Sequence, residues 1–186
     1  FPITITFFGI SYTFNEEIDL NLRIYVTILE SYIEYIEGIP NINYEILDNE
    51  EFYLLVNSTH PLAVRDEVSI EEIAKEPLII CDRDSAPYFF DKVMGIFNSE
   101  GLTPNIVQKV RLISDIYRLV DMGAGLCIMS YSPKRQFYNS FELKFIPIRA
   151  SDPSILEHPK TLAWCSELSP AAKKLVKTAK AMYDQS

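Results

Sequence analysis

The sequence predicts an α/β fold, and three observations predict it. Apolar runs of strand length alternate with helical segments at intervals suited to parallel crossovers. The runs Leu78-Ile79-Ile80-Cys81 and Leu126-Cys127-Ile128-Met129 are apolar throughout and read as buried strands. The helical segments between them carry start and stop residues in the expected places.

Ile3 to Phe8 is β-branched and aromatic between Pro2 and Gly9, so it reads as the first strand, with Gly9 to Asn15 as a polar-aromatic turn. Ile18 to Ile24 alternates apolar with polar and reads as a half-exposed strand. Ile24, Ile28, Tyr32 and Ile36 recur every four positions, which fits one helical face ended by Gly38 and Pro40, although the alternation near Val26 also suits a strand. Tyr32 and Tyr35 sit on this segment and could face a partner or the core. Strand 52–56 leads to a short helix at 69–74, and strand 78–81 leads to a loop rich in Asp, Arg and Ser. Pro87 opens a helix in the N1 position, with Phe90, Val93, Met94 and Phe97 on one face and Gly101 closing it at C′.

Strand 106–110 precedes a helix carrying Ile116, Leu119 and Val120, for which Ser114 or Asp115 is the expected N-cap. Strand 126–129 follows a glycine-rich turn, and 143–148 is a further strand. Residues 149–160, with Pro153 and Pro159, read as a linker into strand 161–165. The closing helix, from Ser169-Pro170 to Tyr183, places Ala172, Leu175, Val176 and Ala179 on one side.

The chain has 186 residues, enough to bury a core without disulfide staples. Its 17 basic and 26 acidic residues give a formal charge of −9, which repels nucleic acid. Cys81, Cys127 and Cys165 each lie in an apolar run and read as buried reduced thiols, with neither a CxxC motif nor paired histidines to suggest a metal. No apolar stretch is long enough for a membrane span and no leader is evident, so the expected compartment is cytoplasmic. Walker, GxGxxG, GxSxG and HExxH patterns are absent, and no cofactor is expected.

Three motifs stand in register. Phe52-Tyr53-Leu54-Leu55-Val56 runs into Asn57-Ser58-Thr59 and a His60-Pro61-Leu62-Ala63 corner. After the short helix comes Glu76-Pro77-Leu78-Ile79, and later Leu119-Val120-Asp121-Met122-Gly123-Ala124-Gly125-Leu126. A helix that stops and feeds a strand at once needs positive φ and close backbone approach, which glycines supply. Over about Asn49 to Lys180 this pattern resembles the effector-binding half of LysR-type transcriptional regulators.

The resemblance implies two Rossmann-like lobes joined by hinge strands, similar to periplasmic binding proteins, with a ligand cleft between them. Residues 1–51 would form the first part of lobe I, 52–145 lobe II, and 146–186 the hinge return and the rest of lobe I. The segment before Ile18 is shorter than the family pattern. Implied partners are a small-molecule effector, such as an organic acid, and a second copy in a dimer or higher oligomer. DNA would be reached only through an N-terminal helix-turn-helix not in this chain. The competing reading is a solute-binding protein of a transporter.

In open α/β sheets ligands bind beyond the carboxyl ends of strands, where helix amides are free. Four groups follow strands here. Ser11, Tyr12 and Thr13 can donate to or stack on a ligand, or form an ordinary turn. Asp82, Arg83, Asp84 and Ser85 lie where the family's loop touches effector; Arg83 could pair bidentately with an acid or be neutralised by its flanking aspartates. Ser114 and Asp115 can cap and contact ligand together, and Ser130 ends strand 126–129. His60, before a proline, reads as a local cap and not a catalyst, and His158 is expected to face solvent in the linker.

Overall fold

A computed structural model of the chain describes residues 3–7, 10–14, 26–30, 42–131, 141–165 and 170–184. The segments 15–25 and 31–41, with the expected strand at 18–24 and the Tyr32–Tyr35 stripe, lie outside them. Among the described residues there are ten strands. Strands β1 (Ile3–Phe7), β2 (Ile10–Phe14) and β3 (Val26–Glu30) precede the long β4 (Ile42–Asn57) and the two-residue β5 (Val68–Ser69). The others are β6 (Pro77–Cys81), β7 (Asn105–Val110), β8 (Cys127–Tyr131), β9 (Leu143–Arg149) and β10 (Glu157–Cys165). The helices are α1 (Ile70–Ile73), α2 (Pro87–Ser99), α3 (Ile113–Asp121) and α4 (Pro170–Asp184).

β4 organises the chain by changing partners along its 16 residues. Ile42 to Glu51 runs antiparallel to β10, which pairs β3 on its far side. Glu51 to Leu55 pairs β8, and Tyr53 to Asn57 pairs β9. One continuous strand therefore carries the ladder from one half of the protein into the other, and the return crossing runs from β9 to β10.

Because side chains alternate along a strand, neighbouring residues of β4 serve opposite layers. Phe52, Leu54 and Val56 pack with Val93, Ile96 and Phe97 of α2, as the expected apolar face of that helix requires. Leu55 packs with Cys127, Met129 and the Ile116, Tyr117 and Val120 face of α3. Each such side chain contributes roughly 1.5–3 kcal/mol by leaving water.

The quoted motifs turn out to be local devices. In the Asn-Ser-Thr-His-Pro-Leu-Ala corner, the Asn57 carboxamide oxygen accepts from the Thr59 amide (2.9 Å) and hydroxyl (2.6 Å). His60 Nδ1 then accepts from the Leu62 amide at 3.2 Å, capping the Pro61–Val64 3-10 turn as expected. Ser69 and Glu72 form a reciprocal capping box on α1. Gly101 and Gly123, at φ 68° and 72°, terminate α2 and α3 in the left-handed conformation. Gly125 answers a different demand, since a Cβ there would lie 2.7 Å from the Pro77 carbonyl oxygen. That contact is the price of the β6–β8 approach, where the Leu126 amide donates to the same oxygen at 2.8 Å.

The structure corrects or decides several of these expectations. The Gly9–Asn15 turn contains a strand, because Ile10 to Phe14 pairs antiparallel with β1. Of the two readings left open for 24–36, the strand holds over the described residues Val26–Glu30: Val26, Thr27 and Ile28 are β-branched, and the ladder with β10 outweighs the four-residue period. The N-cap of α3 is Leu112, with no side-chain cap; Ser114 and Asp115 already lie inside the helix, so neither can cap it. The 149–160 linker is shorter than expected, because a 3-10 turn at Pro153–Leu156 runs straight into β10 at Glu157. His158 is consequently fully buried instead of facing solvent. Cys81 and Cys127 are buried free thiols, as expected, while the Cys165 side chain lies outside the described residues.

Two outcomes follow. Gly125→Ala should lower unfolding free energy by about 1–3 kcal/mol, read by urea denaturation, because the new methyl meets backbone that is itself in a ladder. The Glu72 carboxyl is held below its usual value of 4.5, first by the Ser69 amide. A depressed folded value means stability that is present above pH 4.5 and lost as pH falls through the folded value. Thermal melts between pH 6 and pH 3 should therefore show a shallower acid loss for Glu72→Gln than for wild type.

Candidate functional site at the strand ends

Two parallel strands, β6 and β7, end level with one another. β6 lies between β7, its partner from Pro77↔Asn105 to Cys81↔Val110, and the start of β8, joined through the Leu78↔Leu126 bridge. The Asp82 amide donates to the Val110 carbonyl at 2.7 Å, which holds the carboxyl ends of β6 and β7 level. The loop Asp82–Ala86 and the start of α3 therefore leave the sheet side by side.

The loop is folded on itself. The Ser85 and Ala86 amides both donate to the Asp82 carbonyl at 3.0 Å, and Asp84 and Ser85 are exposed. Arg83 is engaged chiefly by a residue outside its loop, with flanking Asp84 a lesser influence. Its Nε and terminal nitrogen donate to the two Asp91 oxygens at 2.8 Å each, a bidentate pair with the first turns of α2. The pairing lifts the Arg83 guanidinium above its usual value and holds the Asp91 carboxyl below its own. An incoming acid would have to compete with Asp91 for this fork.

Arg111, one residue beyond β7, is exposed and carries no ion pair among the described residues. Sequence reasoning passed over it, although a cation directly after a strand is a readable signal. It precedes a helix start without a side-chain cap. The Asp115 amide donates to the Leu112 carbonyl at 3.0 Å, whereas the Ile113 and Ser114 amides have no partner among the described residues. Ser114 is exposed, and the Asp115 carboxylate lies 3.9 Å from Arg118. Free amides, the positive end of a helix and an unpaired guanidinium together suit an anion.

Ser130 is half-buried on β8 opposite Phe52, and opposed residues share a face. It therefore stands on the α2 side of the sheet. There the Phe52 ring meets Phe89 (5.7 Å between centroids) and stands edge-on to His158 (4.8 Å), with Tyr88 6.3 Å from that imidazole. Beyond Ser130, Tyr131 stacks on Phe145 at 4.1 Å.

The structure thus brings Asp82, Arg83, Asp84, Ser85, Ser114, Asp115 and Ser130 to one end of one sheet region. It does not bring Ser11, Tyr12 and Thr13 to them by strand pairing. Those three oppose Thr6, Ile5 and Thr4 in a separate two-stranded sheet, and their side chains lie outside the described residues.

Nucleophilic chemistry has little to work with. Burial pushes the Cys81 thiol up, and burial with Cys81 nearby pushes Cys127 well above the usual thiol value, so neither is a ready thiolate. His60 is committed to its turn and lies 3.9 Å from Glu76. Among the described residues no helix is long and apolar enough to cross a membrane.

Comparison with known proteins places this arrangement. The family model described as LysR substrate binding domain matches residues 32–184. The uncharacterized HTH-type transcriptional regulator YnfL of Escherichia coli is 31% identical over 135 residues, covering 72% of this chain and 44% of that protein. The HTH-type transcriptional regulator TtuA of Agrobacterium vitis is 31% identical over 125 residues, covering 67% and 40%. The chain therefore spans less than half the length of these relatives. The solved effector-binding domain of BenM with its effector benzoate superposes with a TM-score of 0.64 at 26% identity, over 80% of this chain and 66% of that one. Partner-switching strand, level strand ends and corner motifs thus agree with the matches: the chain belongs to the LysR substrate-binding domain family and has the two-lobed, periplasmic-binding-protein-like α/β fold of LysR effector-binding domains.

Proposed function

We propose that this domain senses a small organic acid and performs no chemistry on it, as the regulatory part of a cytoplasmic transcriptional regulator. Lobe I would comprise residues 1–51 and 146–186, lobe II residues 52–145, with the effector between them. DNA would be contacted by a helix-turn-helix segment outside these 186 residues, and the response would pass through a homodimer or higher oligomer. The relatives named above are regulators, which supports this reading over a transporter's solute-binding protein.

The observation that carries the acid preference is the junction of β7 and α3. Arg111 has no counter-ion among the described residues, and two helix amides stand open beside it. A carboxylate there gains charge-assisted hydrogen bonds worth roughly 1.5–3 kcal/mol each. Ser114 can add a hydroxyl donor, and Arg83 a second guanidinium once Asp91 gives way. Ser130 and the Asp82–Ser85 loop would line the same cleft. A ligand shifts the regulator only by its differential affinity for two arrangements, typically about 1–3 kcal/mol of coupling.

A thermal-shift screen with benzoate and other small mono- and dicarboxylates tests the reading, since a ligand that binds only the folded domain raises Tm. Against the best carboxylate found, Arg111→Ala should weaken binding roughly tenfold to a hundredfold by calorimetry, equivalent to the bonds lost. Asp91→Asn, which frees the Arg83 fork, should tighten it. Arg83→Ala with Ser114→Ala should reduce the response without unfolding the domain; a retained response would remove those two positions from the site.

A further inference from the structure

The strands that join the two halves hold a set of buried charges which neither the ladder nor the proposed ligand contacts require. Glu50 of β4 and Lys160 of β10 form an ion pair at 5% and 7% exposure. In register, Glu50 opposes His158 and Asp48 opposes Lys160. Opposed residues, and residues two apart on a strand, share a face, so Asp48, Glu50, Phe52, His158 and Lys160 all stand on one side of the crossing.

Helices from both halves cover that side. At one end α2 brings Tyr88 to His158 and Phe89 to Phe52. At the other, α4 brings Lys180 into an ion pair with Glu45, and its Val176 is buried. Between these ends the β4–β10 ladder is irregular, with a register shift at Lys160/Thr161. The pair thus sits at the point where β4 passes from its β10 partnership to its β8 and β9 partnerships.

A buried ion pair is a weak stabiliser, because removing both charges from water offsets most of their attraction, and apolar residues of similar volume often serve as well. Its physical difference from an apolar contact is tolerance. Apolar surfaces can slide by an ångström or two at small cost, whereas the same slide strips a buried carboxylate and ammonium of their partners. We propose that the Glu50–Lys160 pair is a conformational lock at the crossing, confining the two halves to one defined relative arrangement. The lock acts in the protein alone and does not depend on which effector is bound.

Distance measurement by double electron–electron resonance tests this, with spin labels on keto-bearing residues at exposed Asn98 of α2 and Lys173 of α4, so that native thiols take no part. The wild-type distribution should be a single narrow peak. In Glu50→Leu/Lys160→Met, the protein should melt within a few degrees of wild type while the peak becomes at least twice as wide. An unchanged width in the folded double variant, or a broad wild-type distribution, overturns the proposal. Should the double variant fail to fold, Glu50→Gln, which keeps the shape and removes the charge, carries the same readout: broadening supports the lock and an unchanged width rejects it.

Discussion

The structure depends on one strand of a six-stranded sheet satisfying two successive sets of partners. Every backbone amide and carbonyl buried in β4 needs a partner, and the partners come from β10 in its first part and from β8 and β9 in its second. Because the strand is continuous, its pleat fixes which side chains face which layer on both sides of the crossing. Leu54 must face the α2 layer if Leu55 is to face the α3 layer, and Glu50 must share the side of Phe52. A slip of one residue would turn every one of these side chains to the wrong layer. The position of α2 and α3, and with them the loops at the strand ends, follows from that register.

The candidate site is a product of strand ends being level. The hydrogen bond from the Asp82 amide to Val110 makes two loops leave the sheet at one height, and the glycine contact at Pro77 sets β8 beside them. What gathers there is a set of hydroxyls, open amides, guanidinium groups and carboxylates. The described thiols are withdrawn by burial and His60 is committed to its turn. A binding domain and a catalytic one can share this scaffold, and the difference lies in these side chains.

Much of this was legible in the sequence. Apolar runs, Pro87 at a helix start, Gly101 at a helix end and the glycines before Leu126 are local signals, and each marked its element. The motif corner could be recognised because its hydrogen bonds join residues two or three apart. What could not be read depends on residues far apart in the chain. Nothing near His158 announces that β4 will lie across it, and nothing near Val26 announces the ladder with β10. Arg83 finds Asp91 eight residues on, past a proline, while its neighbours look like better partners. Glu50 and Lys160 are 110 residues apart, so no window of sequence contains both. Ser114 misled for a different reason: helix starts shift by a residue or two, and the open amides mattered more than the residue type.

The Arg83–Asp91 fork has a consequence of its own. A carboxylate fastened to the neighbouring helix acts like a dissolved competitor at a concentration set by its tether, in the millimolar range for short flexible links and higher for rigid ones. If the loop takes an acid, that acid would be measured against an internal standard that dilution cannot remove. On the proposed reading, abundant, loosely fitting acids would be turned away by this background, and occupancy would fall to molecules that add a second point of attachment.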